Sequence, residues 1–214
     1  MCFAVNASYK KIMGGIFSYD SKFTLALHKF ADVVIASVLW IIGCLPLITI
    51  GASTTALYYV GMKAALGEGT VAKNFFKSFK ANLKQSIVVE GILLLVAFVM
   101  CLNWKIIFDL SNGSVVLKIL YFAVLIWMVP ITSYLFPILA RFTLATKSLF
   151  VNAFVLSFGN LPKTIFILMT TMFPIACVII SVEYVIKLLP LVIMVAPGLI
   201  AFLNATMFIK GFEP

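Results

Sequence analysis

One histidine and seven acidic residues among 214 leave little from which to build side-chain catalysis. His28 stands beside Lys29 and Asp32 at the start of an apolar run, which marks an interfacial residue rather than a general base. The sequence has no nucleophile–histidine–acid arrangement, no P-loop and no dinucleotide fingerprint. Its four cysteines, Cys2, Cys44, Cys101 and Cys177, show neither CxxC nor CxxH spacing, which argues against a metal or redox cofactor and suits small buried hydrophobes. Glu90 is the only acid at usable depth in an apolar segment, so paired-carboxylate chemistry is not available. The expectation is a protein that is not an enzyme; any energy from ATP hydrolysis has to come from another chain.

Charge is equally scarce, at 11% of residues, while 64% are hydrophobic and the mean hydropathy is +1.17. A soluble globule carries an apolar share nearer ~50%. The apolar runs are too long for an outer-membrane barrel, whose strands alternate over roughly ten residues. The composition therefore specifies an all-α, polytopic membrane protein with about six transmembrane helices. Residues 23–210 form one membrane domain, preceded by a segment over 1–22 and followed by a short tail over 211–214. Residues 1–12 hold no apolar core suited to a signal peptide and read as an upstream-start extension. Tyr19-Asp20-Ser21 is placed to cap the first helix.

The chain is organised around residues 40–59, where an apolar helix ends at Leu45-Pro46 and a second begins with small residues. Pro46 lacks a backbone donor and biases Leu45 away from the α region, and Gly51 accepts dihedrals other residues avoid. Thr49, Ser53, Thr54 and Thr55 offer hydroxyls to backbone groups freed at the new helix start. The second helix, residues 52–66, measures about 22 Å against a hydrocarbon core of ~30 Å. Its Ala52, Ala56, Gly61, Ala64 and Ala65 permit close helix approach. Bland packing is one reading of this stretch; a broken-helix site at Pro46–Thr55, with free amides near Gly51–Thr54 facing a polar or anionic group, is the other.

The order L-P-L-I-T-I-G-A-S-T-T-A-L-Y-Y, with Gly14-Gly15-Ile16-Phe17-Ser18-Tyr19-Asp20 upstream and Asn74-Phe75-Phe76-Lys77-Ser78-Phe79 downstream, resembles the YesL-like bacterial membrane proteins. The resemblance spans about residues 13–92 and thins onward to Lys163. It implies little chemistry. Such proteins tend to accompany uptake systems for plant-polysaccharide fragments in Gram-positive bacteria, so the resemblance implies, by association, a place near sugar transport.

Residues 70–84 are the clearest amphipathic piece. Lys73, Lys77, Lys80 and Lys84 fall within about 60° on a helical wheel, and Phe75, Phe76, Phe79 and Leu83 form a separate face. The pattern predicts a surface helix, either laying phenylalanines into the bilayer with lysines on anionic lipid or docking a cytoplasmic partner such as the ATPase of an ABC-type sugar permease. Nucleic acid is excluded as a partner, because aromatics held in lipid cannot stack on bases.

A third helix over 85–108 carries Glu90, whose carboxylate costs several kilocalories in lipid unless paired, hydrated or protonated. Lys63, at the matching end of helix two, is the expected partner; a proton or cation relay is the functional alternative. A loop with Asp109, Asn112 and Gly113 follows. Helix four, 115–141, contains Pro130 and Pro137, read as kinks. Trp127, Thr132 and Tyr134 nearby suggest a sugar-binding cavity, with rings for apolar sugar faces and hydroxyls for ring oxygens.

A second surface helix is expected over 147–160. At an offset of 78 residues Asn74, Phe76, Asn82, Leu83, Ser86 and Ile87 match Asn152, Phe154, Asn160, Leu161, Thr164 and Ile165. This suggests a weak parallel repeat that pairs helix two, surface helix and helix three with helix four, surface helix and helix five. Helices five and six, 163–182 and 187–209, are joined by 183–186, and Asn204 is expected to make an interhelical hydrogen bond.

With six spans and the amino terminus inside, thirteen of the sixteen Lys and Arg residues lie on the cytoplasmic side, and only Lys105, Lys118 and Lys187 lie outside. A re-entrant helix two on its own would reverse the later parity, so charge favours a real second span. The functional expectation is an accessory or permease-like component of carbohydrate uptake in the cytoplasmic membrane, with membrane lipids and ABC-type sugar permease or ATPase subunits as partners. A scaffold that carries no substrate, and a proton-coupled carrier using Glu90, are the alternatives.

Overall fold

The computed structural model describes residues 22–105, 107, 115–180 and 182–211, and side chains within these except at 22, 105, 173–180, 182–191 and 210–211. The expected cap at Tyr19-Asp20-Ser21, the loop with Asp109, Asn112 and Gly113, and both terminal segments lie outside the described residues. Among those described, every regular element is helical: α1 (Lys22–Gly43), a 3-10 turn (Leu47–Thr49), α2 (Ile50–Ala65), α3 (Val71–Lys105), α4 (Val115–Arg141), α5 (Thr146–Gly159), α6 (Leu161–Ile180) and α7 (Val182–Gly211). Residues 183–186, expected as a link, belong to α7.

Four segments, Phe23–Gly43, Val71–Trp104, Val115–Arg141 and Val192–Ile209, are long and apolar enough to cross a membrane, and a fifth is gained if the bent pair α5–α6 counts as one span. Their outer faces carry Leu94, Leu95, Phe98 and Ile126 exposed, a surface suited to lipid rather than water. The expected count of six is not reached among the described residues; α2, at 16 residues, is too short to be one of the spans. Cys101, expected in the interior, is on this exposed face.

The enclosed helix is α2. It packs chiefly against α3 and α7, with α1 and α4 completing its surround. Ala52, Ala56, Leu57 and Val60 join Phe75 and Val89 of α3, Leu135 and Ile138 of α4, and Ala201 and Ala205 of α7 in one core. Gly61 makes the α2–α7 contact close: a Cβ there would meet the Ala201 carbonyl oxygen at 3.0 Å and Ala205 Cβ at 3.1 Å. Gly61 thus lets α2 approach neighbouring backbone, the usual means of association where lipid removes the hydrophobic drive, whereas Ala65, also expected at a close contact, is exposed.

Helix α2 ends in a Schellman turn. The Glu68 amide donates to the Lys63 carbonyl at 2.9 Å and the Gly67 amide to that of Ala64 at 3.1 Å, with Gly67 at φ +72° and Gly69 at φ +71°. The chain then enters α3, and here the expected division fails. The amphipathic segment and the third span are one uninterrupted helix of 35 residues. No proline lies between Val71 and Lys105, so the change of pattern near Lys84 alters which face is polar without breaking the backbone.

The repeat-related segment behaves differently. Helices α5 and α6 meet at Asn160 at an angle of 101°. Pro162 occupies the position equivalent to Lys84; it can neither donate to the preceding turn nor avoid clashing with it. The two proposed copies therefore differ in shape, one straight and one broken.

Candidate functional site

The sequence-predicted residues of the 40–59 stretch gather where α1 turns into α2 against α3. Thr49 is the residue preceding α2, yet its side chain makes no bond to the helix amides. Its hydroxyl lies 2.7 Å from the Gly43 carbonyl oxygen and 2.8 Å from that of Pro46, closing the end of α1 instead. Thr54 and Thr55 donate to the carbonyls of Ile50 and Gly51, each at 2.8 Å. These hydroxyls therefore serve carbonyls, not the freed amides expected from the sequence. Trp40 Nε1 donates to Thr54 Oγ1 at 3.2 Å and ties α1 to α2.

The cap comes from another helix. Glu90 of α3, 8% exposed, accepts the Gly51 amide at 3.0 Å through Oε2. A carboxylate at the first turn of a helix faces the positive end of its dipole, an interaction of about 0.3–1 kcal/mol at the surface and up to ~2 when partly buried. The expected Glu90–Lys63 pair does not form. Lys63 lies at the far end of α2 and pairs with Glu68, whose hydrogen bond holds the ammonium above its usual range. Glu90 found a backbone donor nearer than any lysine, a partner that side-chain spacing does not reveal.

The packing leaves no slack. A Cβ on Gly51 would meet Phe136 Cε1 at 2.9 Å, Glu90 Oε2 at 3.2 Å and the Ser86 carbonyl oxygen at 3.3 Å. Thr55 Oγ1 and Ser86 Oγ lie 3.4 Å apart beside it. Ser53 Oγ is buried against Gly43 without a hydrogen-bond partner. Pro46 is exposed at the turn itself.

Trp127, Thr132 and Tyr134 do not line a common cavity. Trp127 is exposed and its ring packs on Phe154 and Phe158, with centroids at 5.8 and 4.7 Å. Thr132 donates to the Val129 carbonyl in its own helix. Tyr134 is buried, its hydroxyl 2.9 Å from Thr164 Oγ1, beside a space of about 20 Å³. That is room for about one water, far too little for a sugar ring. Asn204 accepts from Thr170 at 2.8 Å through Oδ1, joining α6 to α7, while its Nδ2 is buried without a partner.

The lysine stripe is where the geometry changes its meaning. Lys73, Lys77, Lys80 and Lys84 are all exposed along one side of α3. Beneath them Phe75 is 1% exposed, Ser78 is buried and Phe79 packs against the core, leaving Phe76 as the exposed ring. The phenylalanine face expected in lipid is instead mostly the protein's own interior. Near the same end, a groove of about 310 Å³ is lined by Tyr59, Met62, Lys63, Leu66, Ala140, Arg141 and Ile209. No cluster of three His, Cys, Asp or Glu side chains among the described residues is placed to hold a metal ion.

Fold and site together define a helical, membrane-type protein with a buried cross-helix cap and an exposed basic helix face. The family described as "Protein of unknown function, DUF624" matches residues 33–104, which carry the Gly51–Glu90 contact and the whole lysine stripe. No curated protein and no solved structure matches the chain.

Proposed function

We propose that this chain is a YesL-like, non-enzymatic accessory protein of the cytoplasmic membrane, with both termini on the cytoplasmic side. Its lysine face docks an acidic surface of a transport complex, of which an ABC-type sugar permease or ATPase subunit is the expected kind. The observation that carries this reading is the backing of the stripe: Phe75 and Ser78 are buried beneath it, so four ammonium groups stand on a helix braced by protein. A face built only to rest on lipid would turn its phenylalanines outward with the lysines above them. A rigid basic face instead suits an electrostatically complementary partner. The DUF624 match supports the YesL likeness, YesL being a member of that family. The link to carbohydrate uptake rests on that likeness alone. On the six-span topology read from the sequence, thirteen of the sixteen basic residues fall on one side, which supports the orientation.

The test is purification from native membranes in mild detergent with mass spectrometry of bound proteins, for the natural chain and for one with Lys73, Lys77, Lys80 and Lys84 changed to Gln. Permease or ATPase subunits held by the first and lost by the second support the reading. Recovery of both chains alone contradicts it.

A proton-coupled carrier using Glu90 is the second reading, favoured by Glu90 being the buried carboxylate among the described residues. Its bond to Gly51 supplies a structural reason for that burial. Unchanged uptake with Glu90→Gln would remove the carrier reading.

A further inference from the structure

Helix α2 has 16 residues, about 24 Å at ~1.5 Å per residue, and cannot cross a hydrocarbon core of ~30 Å. The Gly51–Glu90 hydrogen bond fixes how far the α1–α2 turn reaches along α3. Lys84, the last of the stripe, precedes Glu90 on α3 by about 9 Å of helix, and Lys105 follows it by about 22 Å. Taking Lys84 and Lys105 as the two membrane faces, these distances add up to a bilayer's thickness and set the turn about a third of the way through it. Tilting α3 by ~40°, the upper end of the usual range, still leaves the turn about 17 Å short of the Lys105 end.

The residues at the turn match such a depth. Leu45, Leu47 and Ile48 are 77%, 75% and 63% exposed, a bare apolar tip that water would not favour. Its polar backbone is partly closed internally: the Cys44 amide donates to Trp40, that of Leu45 to Ile42 and that of Thr49 to Pro46, at 2.9, 3.3 and 2.9 Å. The Thr49 hydroxyl reaches the Gly43 carbonyl and Glu90 takes the Gly51 amide, while Pro46 has no amide to satisfy. Internal closure is the condition for irregular backbone at membrane depth.

We propose that α1 and α2 form a re-entrant hairpin whose tip, Leu45–Ile48, ends among the acyl chains and is pinned there by Glu90, so that both helices open on the side carrying Lys84 and Arg141. A hairpin of two helices leaves and returns on one face, so it preserves the parity of every later helix. The conflict between the shortness of α2 and the sidedness of the basic residues then disappears.

The experiment places a single cysteine at Leu47 in a chain whose four natural cysteines are replaced, and measures labelling by a membrane-impermeant maleimide on vesicles of either orientation. Asn112→Cys, between α3 and α4, and Ser148→Cys, at the start of α5, report the two faces. From the face where Asn112→Cys reacts, Leu47→Cys is expected to react at least about tenfold more slowly, because a thiol held in an apolar medium stays protonated. Reaction as fast as Asn112→Cys from that face overturns the hairpin. Fluorescence of a bimane on the Leu47 cysteine adds depth. Stronger quenching by mid-chain than by headgroup nitroxide lipids supports the proposal, and the reverse order overturns it. Ile48→Cys serves if the first variant does not insert.

Discussion

The Glu90 carboxylate and the Gly51 amide, 39 positions apart in sequence, lie 3.0 Å from each other, so that one helix caps the start of another. Glu90→Leu leaves that amide buried without an acceptor, which is expected to cost about 1–3 kcal/mol. Glu90→Gln keeps a carbonyl oxygen for the bond and is expected to cost less than half as much. Thermal unfolding of the detergent-purified variants ranks them; equal losses would contradict the cap.

Glycine substitutions should act with opposite signs along the same chain. A Cβ on Gly198 would lie 2.4 Å from the Val33 carbonyl oxygen and 2.5 Å from Ser37 Oγ, both on α1. The Gly198 amide also donates to Ser37 Oγ at 2.9 Å, so Gly198→Ala forces α1 and α7 apart. A loss toward the top of the overpacking range of about 1–3 kcal/mol is expected, and Gly51→Ala should lie within that range. Gly91 has nothing within 4 Å, and Gly91→Ala should be neutral or gain up to ~1 kcal/mol from helix propensity. Unfolding midpoints of the three variants check the order.

The two related segments differ at Lys84 and Pro162, and exchanging their characters should expose the difference. Lys84→Pro places a proline inside a continuous helix and is expected to cost about 3 kcal/mol or more. Pro162→Ala removes no bond of α6, since a residue in the first turn has no intrahelical acceptor, and should change the unfolding midpoint little. A small effect of Lys84→Pro would mean that α3 is not continuous through that point.

How much of this was legible beforehand divides along physical lines. The membrane class follows from bulk composition, and the turn at Pro46 and the close packing at Gly61 follow from residue types that permit few alternatives. The continuity of α3 was hidden because its amphipathic face changes near Lys84, and a change of face resembles a change of element. The absence of proline there, against Pro162 in the related segment, was the available signal. The Glu90 partner was beyond reach of side-chain pairing, since the donor is a backbone amide placed by tertiary packing. The sugar cavity failed because Trp127, Thr132 and Tyr134 each found a separate neighbour: phenylalanine rings, the Val129 carbonyl and Thr164.

The docking role of the lysine face is tested most directly by a photoreactive amino acid at Lys77, with one at the exposed apolar position Leu95 as reference, activated in native membranes. The account predicts a protein adduct from position 77, identified as a subunit of a transport complex with acidic residues at the linked site, and lipid adducts from position 95. Lipid adducts alone from both positions would contradict it.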